Sequence, residues 1–251
     1  SSFDGGARNE LVDGVRIIRR GSSMIRSFHI PVHMEAFFWY RDRRGDFDVV
    51  IDEIHGIPFF STLYAKVPVV ALICEVAGDL WNIAFSWPAS SIGSFIENQY
   101  FRFYKNVPFM TISHSSKYEL VSNGVDETQI SVLPMGVTIP KVAVQKTKEK
   151  TPTLIYVGRL TKAKGIEDAL DLASPEFSLW VVGNGDADYL TRLKKKIEER
   201  GLSGNVQLYG FVSDEKKFDL MARAHILIAP SYKEGWGLTP IEAGSVGTPT
   251  V

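Results

Sequence analysis

The sequence predicts an α/β protein built from two successive parallel-sheet halves, and three observations predict it. Short β-branched runs alternate with helical patterns along the whole chain, which is the pattern of parallel sheets covered by helices. A polar, Lys-rich stretch with a proline at each end, Pro140 to Pro152, interrupts that alternation and reads as a linker. The length of 251 residues exceeds the usual size of one domain. The expected division is a first domain over 1–140, a linker over 141–152 and a second domain over 153–251.

In the first half, strands are expected at Val15 to Arg19, Asp48 to Ile51, Val69 to Ile73, Phe109 to Ile112 and Ile130 to Leu133. Between the first two lies Arg26 to Arg44, where Phe28, Phe37, Phe38, Trp39 and Tyr40 mix with Arg26, Arg41, Arg43 and Arg44. It reads as a helix packing its aromatics into the core. A peripheral contact with an anionic membrane surface is the alternative, and Pro31 weakens the helical pattern. In the second half, Thr153 to Val157, Leu179 to Val182, Val206 to Tyr209 and Ile226 to Ala229 read as strands. The clearest helix runs from about Ala187 to Arg200, with Leu190, Leu193 and Ile197 on one face and Gly201 as its stop. Gly247-Thr248-Pro249-Thr250 reads as the start of a further strand, and truncation at both ends is expected.

Composition narrows the function. A 45% apolar content is ordinary for a soluble globular chain. A net charge of −1 gives no electrostatic ground for nucleic-acid binding, so an anion site would have to be local. The single cysteine, Cys74, excludes an internal disulfide framework and a multi-cysteine zinc site, and suits the cytoplasm. No apolar stretch approaches the ~20 residues of a membrane span.

The most informative run is Glu234-Gly235-Trp236-Gly237-Leu238-Thr239-Pro240-Ile241-Glu242. Two carboxylates flank a Gly-rich turn and a helix start. The helix is expected from about Thr239, with that hydroxyl as cap, Pro240 at the first position and Glu242 in a capping box. Free amides at the helix start favour an anion, and the carboxylates would grip hydroxyls on either side of it. That describes a nucleotide sugar. Capping alone would also explain Thr239-x-x-Glu242, but not Glu234, which follows a strand in the position where parallel sheets bind ligands. Arg159 and Lys164 follow another strand, and such a cation pair suits a diphosphate. Gly183-Asn184-Gly185 ends a third strand and would let a ligand approach the backbone. It lacks the dinucleotide fingerprint, which disfavours nicotinamide chemistry. Phe211 and Val212 follow the next strand, with Phe211 divided between core and site. No His/Cys ligand cluster suggests a metal.

The Glu-x7-Glu signature resembles that of the retaining family 4 glycosyltransferases, which have the GT-B fold of two Rossmann-like, doubly wound domains facing a cleft. The likeness extends to Tyr156-Val157-Gly158-Arg159-Leu160, Lys162-x-Lys164-Gly165, Val182-Gly183-Asn184-Gly185 and Tyr209-Gly210-Phe211-Val212, in the family's order. It is weaker in the first half, through Ser113-x-x-Ser116 and Ile130 to Val137. The resemblance implies metal-independent transfer, with retention, from a UDP- or GDP-linked sugar to a glycan, lipid-linked or small-molecule acceptor. It assigns Arg159 and Lys164 to the diphosphate, Glu242 to the ribose and Glu234 to the sugar. The amides of Gly237 and Leu238 would meet phosphate, and Gly158, Gly183, Gly185, Phe211, Val212, Gly235 and Trp236 complete the donor site.

The first half departs from the family. The resemblance places a histidine after the strand Val69 to Ile73, but Cys74 and Glu75 stand there. A thiol is the weaker hydrogen-bond partner. Either Glu75 substitutes, or turnover is slow, or the residue was altered, and the rival function is a catalytically weak or inactive nucleotide-sugar-binding module. A GT-B phosphorylase or epimerase ranks lower. His55 is a second cleft candidate, and Asp79, Trp81 and Asn82 would line an acceptor loop. The expected location is cytoplasmic, with a peripheral contact at the inner membrane face as the variant.

Overall fold

The computed structural model describes residues 7–20, 30–137, 139 and 147–251. The chain divides into two compact units: one of Ser1–Trp81 and Trp87–Pro134, the other of Asn82–Ser86 and Met135–Val251. Residues 141–146 of the expected linker lie outside the described residues. Lys148 and Glu149, also expected there, are instead fastened within the second unit. Lys148 Nζ donates to the Ala224 carbonyl at 2.6 Å and to Thr248 Oγ1 at 2.8 Å, and Glu149 N donates to the Arg223 carbonyl at 3.0 Å.

The first unit opens with an antiparallel hairpin, β1 (Asn9–Val12) and β2 (Val15–Ile18), turning at Asp13 and Gly14, both with positive φ. The run at Val15 therefore belongs to a separate ribbon and not to a parallel sheet, because an Asp-Gly pair closes a two-residue turn onto the preceding strand. The parallel sheet has the order β3 (Val50–Ile54), β4 (Val69–Ile73), β5 (Phe109–Thr111), β6 (Ile130–Val132). Strand β3 runs further than expected, through Asp52 and Glu53. Asp52 is buried, and its carboxylate accepts from the Ser61 and Phe59 amides, the Ser61 hydroxyl and the Tyr104 hydroxyl. Those donors make an acidic residue tolerable inside a sheet.

Helix α1 (Ile30–Arg41) belongs to this half, α2 (Leu80–Ala84) starts in it and passes at Asn82 into residues counted with the second unit, and α3 (Ala89–Tyr100) and α4 (His114–Ser122) belong to it again. Residues 26–29 of the basic aromatic segment lie outside the described residues. Pro31 does not break α1, since it falls in the first turn, where no amide donor is required. Tyr40 is buried and Phe37 packs edge-on to Tyr64, as the core reading expects. Phe38 and Met34 remain exposed, Phe38 under the Arg41 guanidinium.

The second unit carries the sheet order β10-β7-β8-β9, all parallel: β7 (Thr153–Val157), β8 (Ser178–Val182), β9 (Val206–Gly210) and β10 (Ile226–Leu227). Thr250 extends it by a parallel bridge to Leu227. Alternate strand residues face opposite layers. Leu154, Tyr156, Leu179 and Val181 pack with Ile166 and Leu170 of α5 (Ile166–Asp171) and with Leu193 and Ile197 of α6 (Ala187–Glu199). Ile155, Trp180 and Val182 pack with Phe218 and Met221 of α7 (Asp214–Arg223) and with Ala243 of α8 (Leu238–Ser245). Each fully buried side chain of this kind contributes about 1.5–3 kcal/mol. Helices thus cover both faces, and the order reverses between β7 and β10. No helix among the described residues is long and apolar enough to cross a membrane.

Candidate functional site

Ligands of open parallel sheets bind beyond the carboxyl ends of the strands, where the strand order reverses. In the second unit that point is flanked by the segment after β7, carrying Gly158, Arg159 and Lys164, and the segment after β10, carrying Glu234 to Leu238. The two are joined directly. Lys164 Nζ lies 2.6 Å from Glu234 Oε1, and Tyr232 N donates to the Ala163 carbonyl at 3.1 Å. Gly165 makes the approach possible: its φ is +65°, and a Cβ there would stand 2.1 Å from the Pro230 carbonyl oxygen. The fold therefore brings together the cation expected at a diphosphate and the carboxylate expected at a sugar.

The loop after β7 is held from below. The buried Tyr156 hydroxyl donates to the Arg159 carbonyl at 2.8 Å, Leu160 is buried, and Leu160 N donates to the Asn184 carbonyl at 2.9 Å. Arg159 itself is exposed and makes no side-chain hydrogen bond or ion pair among the described residues. A rigid backbone thus presents an uncommitted guanidinium beside a paired ammonium.

Packing between loops requires the two glycines after β8. A Cβ on Gly183 would lie 1.8 Å from the Gly158 carbonyl oxygen, and one on Gly185 would lie 2.4 Å from that of Leu160. Asp186 then caps α6, accepting from the Asp188 amide. Phe211 is 86% exposed beyond β9, which removes it from the core, and Val212 is half-buried.

Helix α8 begins one residue earlier than expected, at Leu238, with Gly237 as its N-cap in the left-handed region and no side-chain cap. Thr239 caps nothing, Pro240 is the third helical residue, and the capping box does not form. Proline remains compatible because the first-turn amides are unpaired in any helix. With capping gone, Glu242 is accounted for by another partner: Lys217 Nζ of α7 lies 2.8 Å from its Oε1. Lys217 was missed in the sequence because its place in a charged run reads as a solvated face. Trp236 Nε1 is buried and has no hydrogen-bond partner among the described residues.

In the first unit, Cys74 is half-buried just beyond β4. Burial pushes its thiol above the ordinary range, with Glu53 and Glu75 adding to the effect. Its carbonyl accepts from Ser116 Oγ at 2.7 Å, and Ser113 caps α4 by accepting from Ser116 N. The Ser-x-x-Ser pair therefore ties α4 to the loop carrying Cys74. His55 and Asp79 are exposed, and Glu75 is half-buried. Trp81 does not line an acceptor loop. It is buried, donating Nε1 to Glu97 at 3.1 Å, and the buried Glu97 carboxylate also accepts from the amides of Ala77 and Gly78. No group of three or more metal-ligating side chains occurs among the described residues.

These two α/β units, with helices on both faces of the second sheet, define the GT-B fold class. Residues 139–251 match the family model of the Glycosyl transferases group 1. A GDP-mannose:cellobiosyl-diphosphopolyprenol alpha-mannosyltransferase of Xanthomonas campestris is 28% identical over 96% of this chain and 63% of its own length. An MMP alpha-(1->4)-mannosyltransferase of Mycolicibacterium hassiacum is 27% identical over 83% of this chain and 54% of its own. The chain thus spans little more than half the length of these curated relatives. Among solved structures, sucrose-phosphate synthase from Thermosynechococcus elongatus matches with a TM-score of 0.73 at 18% identity, over 98% of this chain and 67% of that one. Anabaena Alr3699/HepE in complex with UDP-glucose matches with 0.65 at 17% identity, over 93% and 66%. Likeness at such identity speaks for the fold.

Proposed function

We propose that the protein moves a sugar from a nucleotide diphosphate sugar to a glycan, lipid-linked or small-molecule acceptor, with retention at the anomeric carbon. The observation that carries this reading is the Lys164–Glu234 ion pair beside exposed Arg159, at the reversal point of a sheet within the matched family region. In the proposal, Arg159 grips the diphosphate and Lys164 is shared between it and Glu234, so that the cations stabilise the charge developing on the leaving group. The amides of Gly237 and Leu238 at the start of α8 add to that field. Glu234 meets the sugar near the reacting carbon and Glu242 the ribose hydroxyls. The acceptor enters on the face from which the diphosphate leaves, and the departing phosphate takes its proton. The names of the relatives make GDP-mannose and UDP-glucose the first donors to try. Exposed Met34, Phe38 and Arg41 on α1 support a peripheral membrane contact as part of the same proposal.

Calorimetric titration with UDP, GDP and ADP and their sugar conjugates tests the site, with Glu242→Ala as control. Micromolar binding of one diphosphate, weakened in Glu242→Ala, supports the reading. Absence of binding by all of them, with the chain folded, refutes it. A second reading, a nucleotide-sugar-binding module with little or no turnover, is favoured by Cys74, whose raised thiol is a poor base and a weak donor. A large gain in turnover by Cys74→His would support that reading.

A further inference from the structure

We infer that Lys217 is a positioning residue for Glu242, anchoring one carboxylate oxygen so that the other is presented to a ribose hydroxyl; this rests on the donor-site reading above. Lys217 Nζ lies 2.8 Å from Glu242 Oε1 and 3.1 Å from Asp214 Oδ1, and 4.9 Å from the centroid of the Phe218 ring. The two side chains of the Lys217–Glu242 pair are only 19% and 15% exposed. Burial opposes the charge on Lys217, yet its bonds to Glu242 and Asp214 prevail and raise its pKa above the ordinary value.

Glu242 Oε2 accepts no hydrogen bond among the described residues. An ionised carboxylate is an acceptor only, with room for about four hydrogen bonds. The cluster of Asp214, Lys217 and Glu242 carries one cation against two anions. It therefore repels phosphate and suits a neutral donor such as a sugar hydroxyl. Lys217 comes from α7 and Glu242 from α8, so the bond also fixes the angle at which the carboxylate leaves its helix. A long side chain with free rotamers would otherwise lose conformational freedom on every binding event.

The test is calorimetry of the full chain with UDP and GDP and with their 2′,3′-dideoxy counterparts. A hydrogen bond to a charged group corresponds to a preference of about tenfold or more for the ribose form. The expected results are that Glu242→Ala and Lys217→Met each bring the ribose-to-dideoxy ratio to within about twofold of one, that dideoxy affinity changes by less than about twofold, and that Lys217→Arg keeps the preference. If Glu242→Ala abolishes the preference and Lys217→Met does not, or if Lys217→Met weakens both forms equally, the role of Lys217 is overturned while the site stands. If neither diphosphate binds, or Glu242→Ala leaves the ratio unchanged, the donor-site reading falls and takes the inference with it. Should the unpaired carboxylate unfold Lys217→Met, the double variant with Glu242→Ala removes that charge as well. It should show the same ratio as Glu242→Ala alone, because groups acting as a unit are not additive, and a further loss would overturn the inference.

Discussion

Gly165→Ala should loosen the site and the second unit together. The new Cβ would stand 2.1 Å from the Pro230 carbonyl oxygen, far inside contact distance, in a residue whose φ is +65°. A left-handed alanine costs roughly 1–2 kcal/mol, and forcing an extra methyl into packed surroundings costs about 1–3 kcal/mol. Together they suggest a loss of about 3 kcal/mol, which for a chain of this length lowers the melting temperature by roughly 6–12 °C. The strain is relieved by moving the segment after β10 away from the turn at Lys162–Lys164. That movement lengthens the Lys164–Glu234 bond, so the affinity for the diphosphate should fall by about tenfold, ~1.4 kcal/mol. Gly204→Ala is the control, since nothing lies within 4 Å of its Cβ position and its φ is unremarkable. Thermal unfolding followed by circular dichroism, with calorimetry on the folded proteins, reads both effects. A Gly165→Ala protein that melts with the Gly204→Ala control and binds diphosphate as tightly would refute the reasoning.

Glu97→Ala would leave the buried Trp81 indole donor, and the part-buried amides of Ala77 and Gly78, without their acceptor. A buried donor left unsatisfied costs about 1–3 kcal/mol, so urea unfolding should show a loss of about 2 kcal/mol, and a change below ~0.5 kcal/mol would contradict the assignment. Cys74 should react slowly with iodoacetamide at pH 7.5, because a raised pKa lowers the thiolate fraction, and its rate should keep climbing as pH rises past the range of a free thiol. A rate at neutral pH equal to that of a free cysteine peptide would show the thiol to be unperturbed.

The second sheet was legible because its strands are buried on both faces and so read as continuous β-branched runs, as Thr153 to Val157 does. The helix over Ala187–Glu199 announced itself through Leu193 and Ile197, one turn apart on a buried face. The end of β3 was hidden because Asp52 and Glu53 argue against a strand until Ser61 and Tyr104, distant in sequence, supply donors. The purposes of Gly183 and Gly185 were hidden for a related reason: glycine spacing shows that room is needed, but only the packed loops show what fills it. Lys217 carried no local signal, since its partner lies on another helix. Trp81 was misplaced because an aromatic in a loop beside Asp79 looks like a ligand contact, whereas the carboxylate that claims its indole arrives from α3.

The Glu97 carboxylate has a consequence for how the two units divide their labour. The turn after β4 is built much as an anion-binding turn is built, with consecutive amides of Ala77 and Gly78 converging on one point. That point is already filled from within the chain, so those amides have no hydrogen left to offer a phosphate. At this turn the first unit carries a permanent counter-ion of its own, and an incoming anion finds neither amide free.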